Sequence, residues 1–165
     1  MPPDLERRRF GEIVEATPLV SIDLLVTNGD GALLVGLRTN EPARGFFFVP
    51  GGRIRKGETL PEALRRIAEF ELALDVSWHS DNVAGVFTHI YPTNAVGLRG
   101  VTTHYVVIAY RVRVADGLDL DDLRAHSPQH SEYRWITLAD VESGELPVHE
   151  NTAEYLRLGV TEPRR

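Results

Sequence analysis

The chain of 165 residues contains no cysteine, and none of its apolar runs is long. The lack of cysteine excludes disulfide bonds, thiolate catalysis, zinc-thiolate sites and iron-sulfur clusters, and it indicates a reducing compartment such as the cytoplasm. The apolar runs end at about six residues, whereas a membrane-spanning helix needs about 20. The charged N-terminus also lacks the apolar stretch of a signal peptide. We therefore expect a cytoplasmic protein that does not enter a membrane.

Basic side chains are in the minority, with 18 Lys and Arg residues against 24 Asp and Glu residues and a net charge of -6. This balance opposes sequence-independent binding to nucleic acid or to anionic lipid. A local phosphate-binding pocket is compatible with it. The expected partner is therefore a small molecule, with no nucleic acid and no membrane.

The length and the hydrophobic content of 42% suit one domain with one core. No internal repeat, low-complexity tract or Pro/Gly-rich linker divides the chain. We expect a single domain over 1–165, with a lead-in helix over 4–16, a core over about 17–158 and a frayed tail over 159–165.

Alternation of apolar residues and turn signals predict strands, and helical periodicity predicts helices after several of them. The predicted strands are 18–27, 32–38, 46–49, 83–90, 102–114 and 133–136, and the predicted helices are 60–72, 138–143 and 150–158. The segment 115–132 has weak periodicity and is expected to be a long loop, of the kind that carries functional sites. The order of elements indicates an α+β fold with a mixed sheet flanked by helices.

The helix over 60–72 contains an acidic residue in its apolar stripe. Thr59 and Glu62 have the spacing of a capping box, which fixes where the helix begins. Counting 100° per residue from there, Glu71 falls between Leu60 and Leu64 on the buried face. Either fraying of the last turn lets this carboxylate reach water, or a bound divalent cation keeps it charged while it is buried.

The residues around this helix resemble the Nudix hydrolase box, G-x5-E-x7-R-E-U-x-E-E-x-G-U. The matching positions are Gly52, Glu58, Arg66, Glu71 and Leu74. Ile67 and Phe70 stand where the family usually has glutamates, and Ala73 stands at the box glycine, so the end of the helix, and Glu71 with it, could be shifted. Two of the three helix carboxylates that bind metal in ordinary members are therefore missing.

Further stretches resemble one Nudix subgroup, the GDP-mannose mannosyl hydrolases, over about residues 10–158. They are Thr17-Pro-Leu-Val-Ser, Arg38-Thr-Asn, Gly45-Phe-Phe-Phe-Val-Pro-Gly-Gly-Arg, Thr102-Thr-His-Tyr-Val-Val, and Gln129-His before Tyr133-Arg-Trp. This resemblance implies a Nudix-type α/β/α sandwich, a homodimer, and hydrolysis of GDP-mannose to GDP and mannose. It also implies one Mg²⁺ ion, with Mn²⁺ as a possible substitute.

The same resemblance implies roles for individual residues. The metal ligands would be the Gly51 carbonyl, Glu71 and Gln129, and Glu58 would pair with Arg66 behind them. His130 would be the general base, with His126 as the second candidate histidine in the same segment. The residues expected to line the substrate site are Asp23, Arg38, Arg53, His89 and Tyr105, of which Asp23, Arg38 and His89 are also assigned to catalysis.

The reduced set of carboxylates bears on the reaction. One helix carboxylate can hold one Mg²⁺ but scarcely the cluster of ions that would activate water beside phosphorus, which favours attack of water on the anomeric carbon with inversion. Two alternatives stay open: a Nudix pyrophosphohydrolase that cleaves the diphosphate of a nucleotide sugar or nucleotide, and a non-catalytic module that binds a nucleotide sugar. The identity of the sugar also stays open, because the loop over 92–100 can alter its pocket.

Overall fold

The computed structural model describes residues 6–115 and 118–162. The helices are α1 (Arg7–Ala16), α2 (Leu60–Leu72), α3 (Leu120–His126), α4 (Leu138–Ser143) and α5 (Glu150–Arg157). The strands are β1 (Leu19–Thr27), β2 (Leu33–Arg38), β3 (Phe47–Phe48), β4 (Gly51–Arg53), β5 (Val83–Tyr91), β6 (Thr103–Arg113) and β7 (His130–Ile136), and a short 3-10 helix spans Ser80–Asn82. No helix in the described ranges has both the length and the apolar character needed to cross a membrane.

The sheet is mixed and is centred on β1. The whole of β1 pairs in parallel with β6, while its first half pairs antiparallel with β4 and its last residue pairs with β2. Strand β2 also pairs antiparallel with β3 and β7, and β5 pairs antiparallel with β6 as the last strand on that side. The expected mixed sheet of an α+β fold is confirmed.

Helices cover both faces of this sheet. On one face, Ile22 and Leu24 of β1 pack with Leu64 and Ile67 of α2, and Leu123 of α3 joins the same cluster. On the other face, Leu25 packs in a cluster that includes Phe48 and Tyr155 of α5. The alternation along β1 therefore produces an α/β/α sandwich, because successive side chains of a strand point to opposite faces.

Helix α2 begins and ends at the predicted residues. The Thr59 hydroxyl accepts from the Glu62 amide and the Glu62 carboxylate accepts from the Thr59 amide, which confirms the capping box. At the other end Ala73 has φ 52° and ψ 31°, the left-handed conformation that glycine usually supplies. The substitution of alanine for the box glycine therefore does not extend the helix, and Glu71 stays in its last turn.

Several predicted boundaries are wrong. Residues 51–53, for which no strand is predicted, form β4, because their backbone pairs with β1. The segment expected to be a loop contains α3, which the Asp119 carboxylate caps by accepting from the amides of Asp121 and Asp122. Strand β7 begins at His130 instead of residue 133.

The two ends of the chain also differ from expectation. Helix α1 begins at Arg7, and residues 4 and 5 of the predicted lead-in lie outside the described residues. The predicted frayed tail is partly docked, because Val160 packs on the core and its carbonyl accepts from Arg111 at 2.7 Å. Residues 163–165 lie outside the described ranges.

Candidate active site

A cavity of about 460 Å³ opens beside β4, between the last turns of α2 and the strands β1, β5 and β6. Nine of the residues that the sequence assigns to a site line it: Asp23, Arg38, Gly51, Arg53, Arg66, Glu71, His89, Tyr105 and Gln129. Glu58 and His130 do not line it. Segments far apart in the sequence therefore meet at one cavity.

Glu71 is buried at the inner end of this cavity, with 2% of its surface exposed. Its two oxygens accept hydrogen bonds from the Gln129 amide nitrogen at 2.8 Å and from the Ser127 hydroxyl at 3.2 Å. Burial raises the pKa of Glu71 to about 7, and the Ser127 hydrogen bond only partly opposes this shift. Fraying does not carry the carboxylate into water, so the charged form depends on a nearby positive charge.

The oxygen ligands available at Glu71 and its neighbours fit one cation that prefers oxygen. Rotation of the Gln129 side-chain amide by 180° would place its oxygen, instead of its nitrogen, beside Glu71, and both residues face the cavity with Gly51. Magnesium takes one or two carboxylates and keeps sites for phosphate oxygens and water. The described residues contain no group of three or more His, Asp or Glu side chains able to hold a metal. The residues present thus suit one ion and do not suit a cluster.

His130 lies behind the cavity wall. Its ring packs against Gly36, where a Cβ atom would stand only 2.5 Å from the ring, and its Nδ1 shares a hydrogen bond of 3.1 Å with the Tyr133 hydroxyl. Nε2 is buried without a hydrogen-bond partner in the described part of the chain. Burial lowers the pKa of His130 to about 3, so its 3.7 Å approach to the Glu71 carboxylate is not an ion pair at neutral pH. The alternative histidine, His126, is exposed and contacts the Glu69 carbonyl.

Arg66 connects the helix to β4. Its guanidinium donates to both oxygens of Glu58, at 2.7 Å for Nη2, and to the Arg53 carbonyl at 3.0 Å. This ion pair lowers the pKa of Glu58 to about 2. The pair holds the backbone of β4 against α2, and Arg53 itself lies over the ring of Phe10 at 5.1 Å.

Asp23 lines the cavity on β1, where it pairs with Gly51 of β4. One oxygen accepts from the Tyr155 hydroxyl at 2.7 Å, and the other lies where a Cβ on Gly51 would come within 2.9 Å. Burial raises the pKa of Asp23 to about 7, although Tyr155 and the charge of Arg38 act in the opposite direction. Glycine at position 51 is therefore required for β4 to approach this carboxylate.

His89 lines the cavity and is enclosed by aromatic rings. The rings of Phe48, Tyr91 and Tyr155 have their centroids 6.0 to 6.4 Å from it. Burial lowers the pKa of His89 to about 4, and its Nε2 has no hydrogen-bond partner within the described ranges. A neutral, unpartnered ring nitrogen next to the cavity can bind a ligand hydroxyl group.

Arg38 and Tyr105 complete the polar lining. Arg38 donates to Asn40 at 3.1 Å, while its buried Nε finds no partner among the described residues. Tyr105 packs beside Tyr91, and burial raises the pKa of its hydroxyl, which keeps it a neutral donor. Both groups are able to donate to oxygen atoms of a ligand.

Three residues of this region are absent from the predicted site. Arg55 follows β4 and Tyr91 follows His89 by two residues, so the alternation of β5 was a usable signal for Tyr91. Tyr155 contacts Asp23 across 132 residues of sequence, and no sequence pattern connects the two.

The NUDIX domain family matches residues 17–158 of the chain. Among curated proteins, the low-salt glycan biosynthesis protein Agl8 of Haloferax volcanii is 44% identical over 123 residues, which are 74% of this chain and 72% of that protein. The family match spans β1 to α5, which contain the residues that line the cavity apart from Phe10.

Solved structures share the fold at low sequence identity. The MutT protein of Methanosarcina mazei superimposes with a TM-score of 0.62 and 19% identity, over 87% of this chain and 94% of that one. The NUDIX domain of Shewanella oneidensis NrtR, crystallised with ADP ribose, gives a TM-score of 0.56 and 18% identity over 94% and 92% of the two chains. At these identities the likeness concerns the fold alone.

Proposed function

The chain belongs to the NUDIX domain family of hydrolases, and on that premise we propose that it hydrolyses a nucleotide sugar at the anomeric carbon. The proposed substrate is GDP-mannose, and the products are GDP and free mannose. The subgroup resemblance of the sequence supports this substrate, and the 44% identity to a glycan biosynthesis protein is compatible with a sugar substrate.

One observation carries the proposal: α2 presents a single carboxylate to the cavity. Ile67 and Phe70 line the cavity at the positions of two box glutamates, and Glu71 is the acidic residue of α2 that remains there. A hydrolase that attacks phosphorus with several metal ions needs more anionic ligands than this. A reaction at carbon needs only that the departing diphosphate be held and its charge compensated.

Arginine side chains are suited to that task. Arg38, Arg53, Arg55 and Arg66 line the cavity, and guanidinium groups stay charged and can bind two phosphate oxygens at once. Arg66 donates to Glu58 and to the Arg53 carbonyl, so we assign the binding of the diphosphate to Arg38, Arg53 and Arg55. Ordinary glycosidases use a carboxylic acid to protonate the leaving group. No such acid is needed here, because the diphosphate departs as an anion.

A divalent cation would be held by Glu71, the Gln129 amide oxygen and the Gly51 carbonyl. When bound, Mg²⁺ would offset negative charge on the departing diphosphate, and Mn²⁺ has the same ligand preference for oxygen. Glu71, whose burial favours the neutral acid, would then be kept ionised.

The reaction forms a bond between the water oxygen and the anomeric carbon and breaks the bond from that carbon to the diphosphate oxygen, which keeps the electron pair. Asp23 faces the cavity, where its carboxylate would stabilise positive charge on the sugar ring. His130 is the proposed acceptor of the water proton, on the strength of the resemblance. Because the ring is buried and does not line the cavity, this transfer requires a substrate-bound arrangement that differs from the present one.

Hydrolysis of GDP-mannose in water enriched in oxygen-18 tests the proposal. We expect the label in mannose, and β-mannose as the first anomer seen by proton NMR. Label in GMP or in mannose 1-phosphate would instead identify a pyrophosphohydrolase. Metal-dependent binding of GDP-mannose without any product would identify a binding module.

The homodimer is likewise a proposal that rests on the subgroup resemblance. Analytical ultracentrifugation of the purified chain is expected to give twice the monomer mass across micromolar concentrations. A monomer at these concentrations would contradict the assignment.

A further inference from the structure

Tyr155 approaches the site from behind, on the buried side of α5. It is fully buried and does not line the cavity, yet its hydroxyl donates to Asp23 at 2.7 Å. Phe87 contacts the Tyr155 ring edge to face at 5.0 Å, and His89 lies against it at 6.0 Å. Two ring contacts and complete burial fix the direction in which the hydroxyl points.

Asp23 needs such a fixed partner. It is a short side chain at the point where β1 passes β4, and the missing Cβ of Gly51 leaves room beside one of its oxygens. The Arg38 charge lies near the same carboxylate and competes for it. The Tyr155 hydrogen bond keeps one oxygen turned toward α5, which directs the other toward β4 and the cavity.

Helix α5 supports neighbouring parts of the same wall. The Thr152 hydroxyl accepts from the amide of Val49, and the Asn151 side chain lies near the Tyr91 hydroxyl, where it opposes the rise that burial causes in the pKa of Tyr91. Val49, Tyr91 and Asp23 all line the cavity. The last helix of the fold thus contacts three lining residues through side chains that lie outside the lining.

We propose that Tyr155 is a positioning residue that holds the Asp23 carboxylate in the orientation the reaction needs, and that α5 is the scaffold for this end of the substrate site. The proposal rests on the nucleotide-sugar hydrolase function stated above. Tyr155 touches no substrate and acts through Asp23 alone. Misplacement of a reacting group by about 1 Å can cost about 100-fold in rate, so loss of one hydrogen bond is sufficient to be measured.

The test is a double-mutant cycle on GDP-mannose hydrolysis. Tyr155→Phe removes only the hydroxyl, and we expect kcat to fall about 10-fold with KM changed less than about twofold. In the Asp23→Ala background the same change should lower kcat by less than about twofold, because the carboxylate that Tyr155 orients is absent. If the factors by which kcat falls in the two single variants multiply in the double variant, the proposal is overturned. A wild-type kcat in Tyr155→Phe would also overturn it.

Tyr110→Phe is the matched control. Tyr110 is also fully buried, and its hydroxyl donates to the Ser77 carbonyl and accepts from the His79 amide on the other face of the sheet, away from the cavity. It should lose stability as Tyr155→Phe does while its kcat stays at the wild-type value. An equal fall of kcat in both variants would attribute the effect of Tyr155→Phe to stability and reject positioning.

A crystal structure of Tyr155→Phe separates this inference from the proposed function. We expect the Asp23 carboxylate to leave its present position by about 1 Å or more, whatever the substrate turns out to be. An unmoved carboxylate would overturn the positioning role, even if GDP-mannose were hydrolysed. No hydrolysis by the wild-type protein, with a displaced carboxylate in the variant, would reject the proposed function only.

Discussion

Glu71 is the residue at which burial and charge conflict most directly. Its carboxylate is buried, two neutral groups donate to it, and burial raises its pKa to about 7. A neutral carboxyl group is a poor metal ligand. A cation bound beside Glu71 would stabilise the ionised carboxylate in its buried position. The sequence exposed the conflict through helical periodicity alone, before any contact was visible.

Glu71→Gln is expected to lower kcat by about 100-fold or more and to abolish the response to Mg²⁺, because the amide is a weaker ligand of similar shape. Activity measured across a Mg²⁺ titration checks this. Glu69→Gln, an exposed position on the same helix, should keep the wild-type titration curve. A Glu71→Gln enzyme with normal activity would remove Glu71 from the metal site.

His130→Ala is expected to lower kcat by about 100- to 10,000-fold, the usual contribution of a general base. Steady-state kinetics at neutral pH give the number. The His130 ring is buried and does not line the cavity, so this prediction requires it to reach the attacking water in the substrate complex. An unchanged kcat would remove His130 from the role of general base.

Among the secondary-structure elements, helix α2 ends at an alanine in a conformation that favours glycine. Ala73 holds φ 52°, where a side chain costs about 1 to 2 kcal/mol relative to glycine. Ala73→Gly is therefore expected to raise the free energy of unfolding by about 1 kcal/mol, measured by urea denaturation.

Ala125 provides the comparison for this substitution. It is exposed within α3, so Ala125→Gly meets an ordinary helical position and should lower stability by about 1 kcal/mol. Destabilisation by Ala73→Gly would mean that the helix does not end in the left-handed conformation.

Helix α2 and strand β4 differ in how well local sequence patterns predict them. The capping box, the apolar stripe and the Glu58 to Arg66 spacing all lie within about 14 residues, so turn geometry and periodicity predict them. Strand β4 was not predicted, because a three-residue strand with two glycines has no propensity of its own and exists through its pairing with β1.

For the whole molecule, the buried ionisable groups have opposing effects on stability. The folded pKa values of Asp23 and Glu71 are raised to about 7, so between about pH 4 and 7 the folded state binds more protons and stability falls as pH rises. The pKa values of His89 and His130 are lowered to about 4 and 3, so below about pH 6.5 they make stability rise with pH. The wild-type curve should therefore be nearly flat over the middle of this range.

A difference between variants isolates one group. The free energy of unfolding of Asp23→Asn, relative to wild type, is expected to increase by about 1 to 3 kcal/mol from pH 4 to pH 8, because the wild type alone must ionise a buried carboxyl group. Urea denaturation at the two pH values checks this, with the exposed Asp30→Asn as control. A difference that is constant with pH would show that Asp23 ionises as easily in the folded protein as in the unfolded chain.

The sequence by itself determined the mixed α+β fold, the start of α2 and the position of Glu71 in its apolar stripe, because these follow from patterns among neighbouring residues. That α2 ends at Ala73 and that Glu71 is buried came from the structure. Only the tertiary structure decided that Gln129 meets Glu71, that Tyr155 holds Asp23 from 132 residues away, and that His130 faces Tyr133 instead of the cavity. Such contacts depend on how the sheet brings distant segments together and on which side chains fill the space between its layers, and no local preference encodes either.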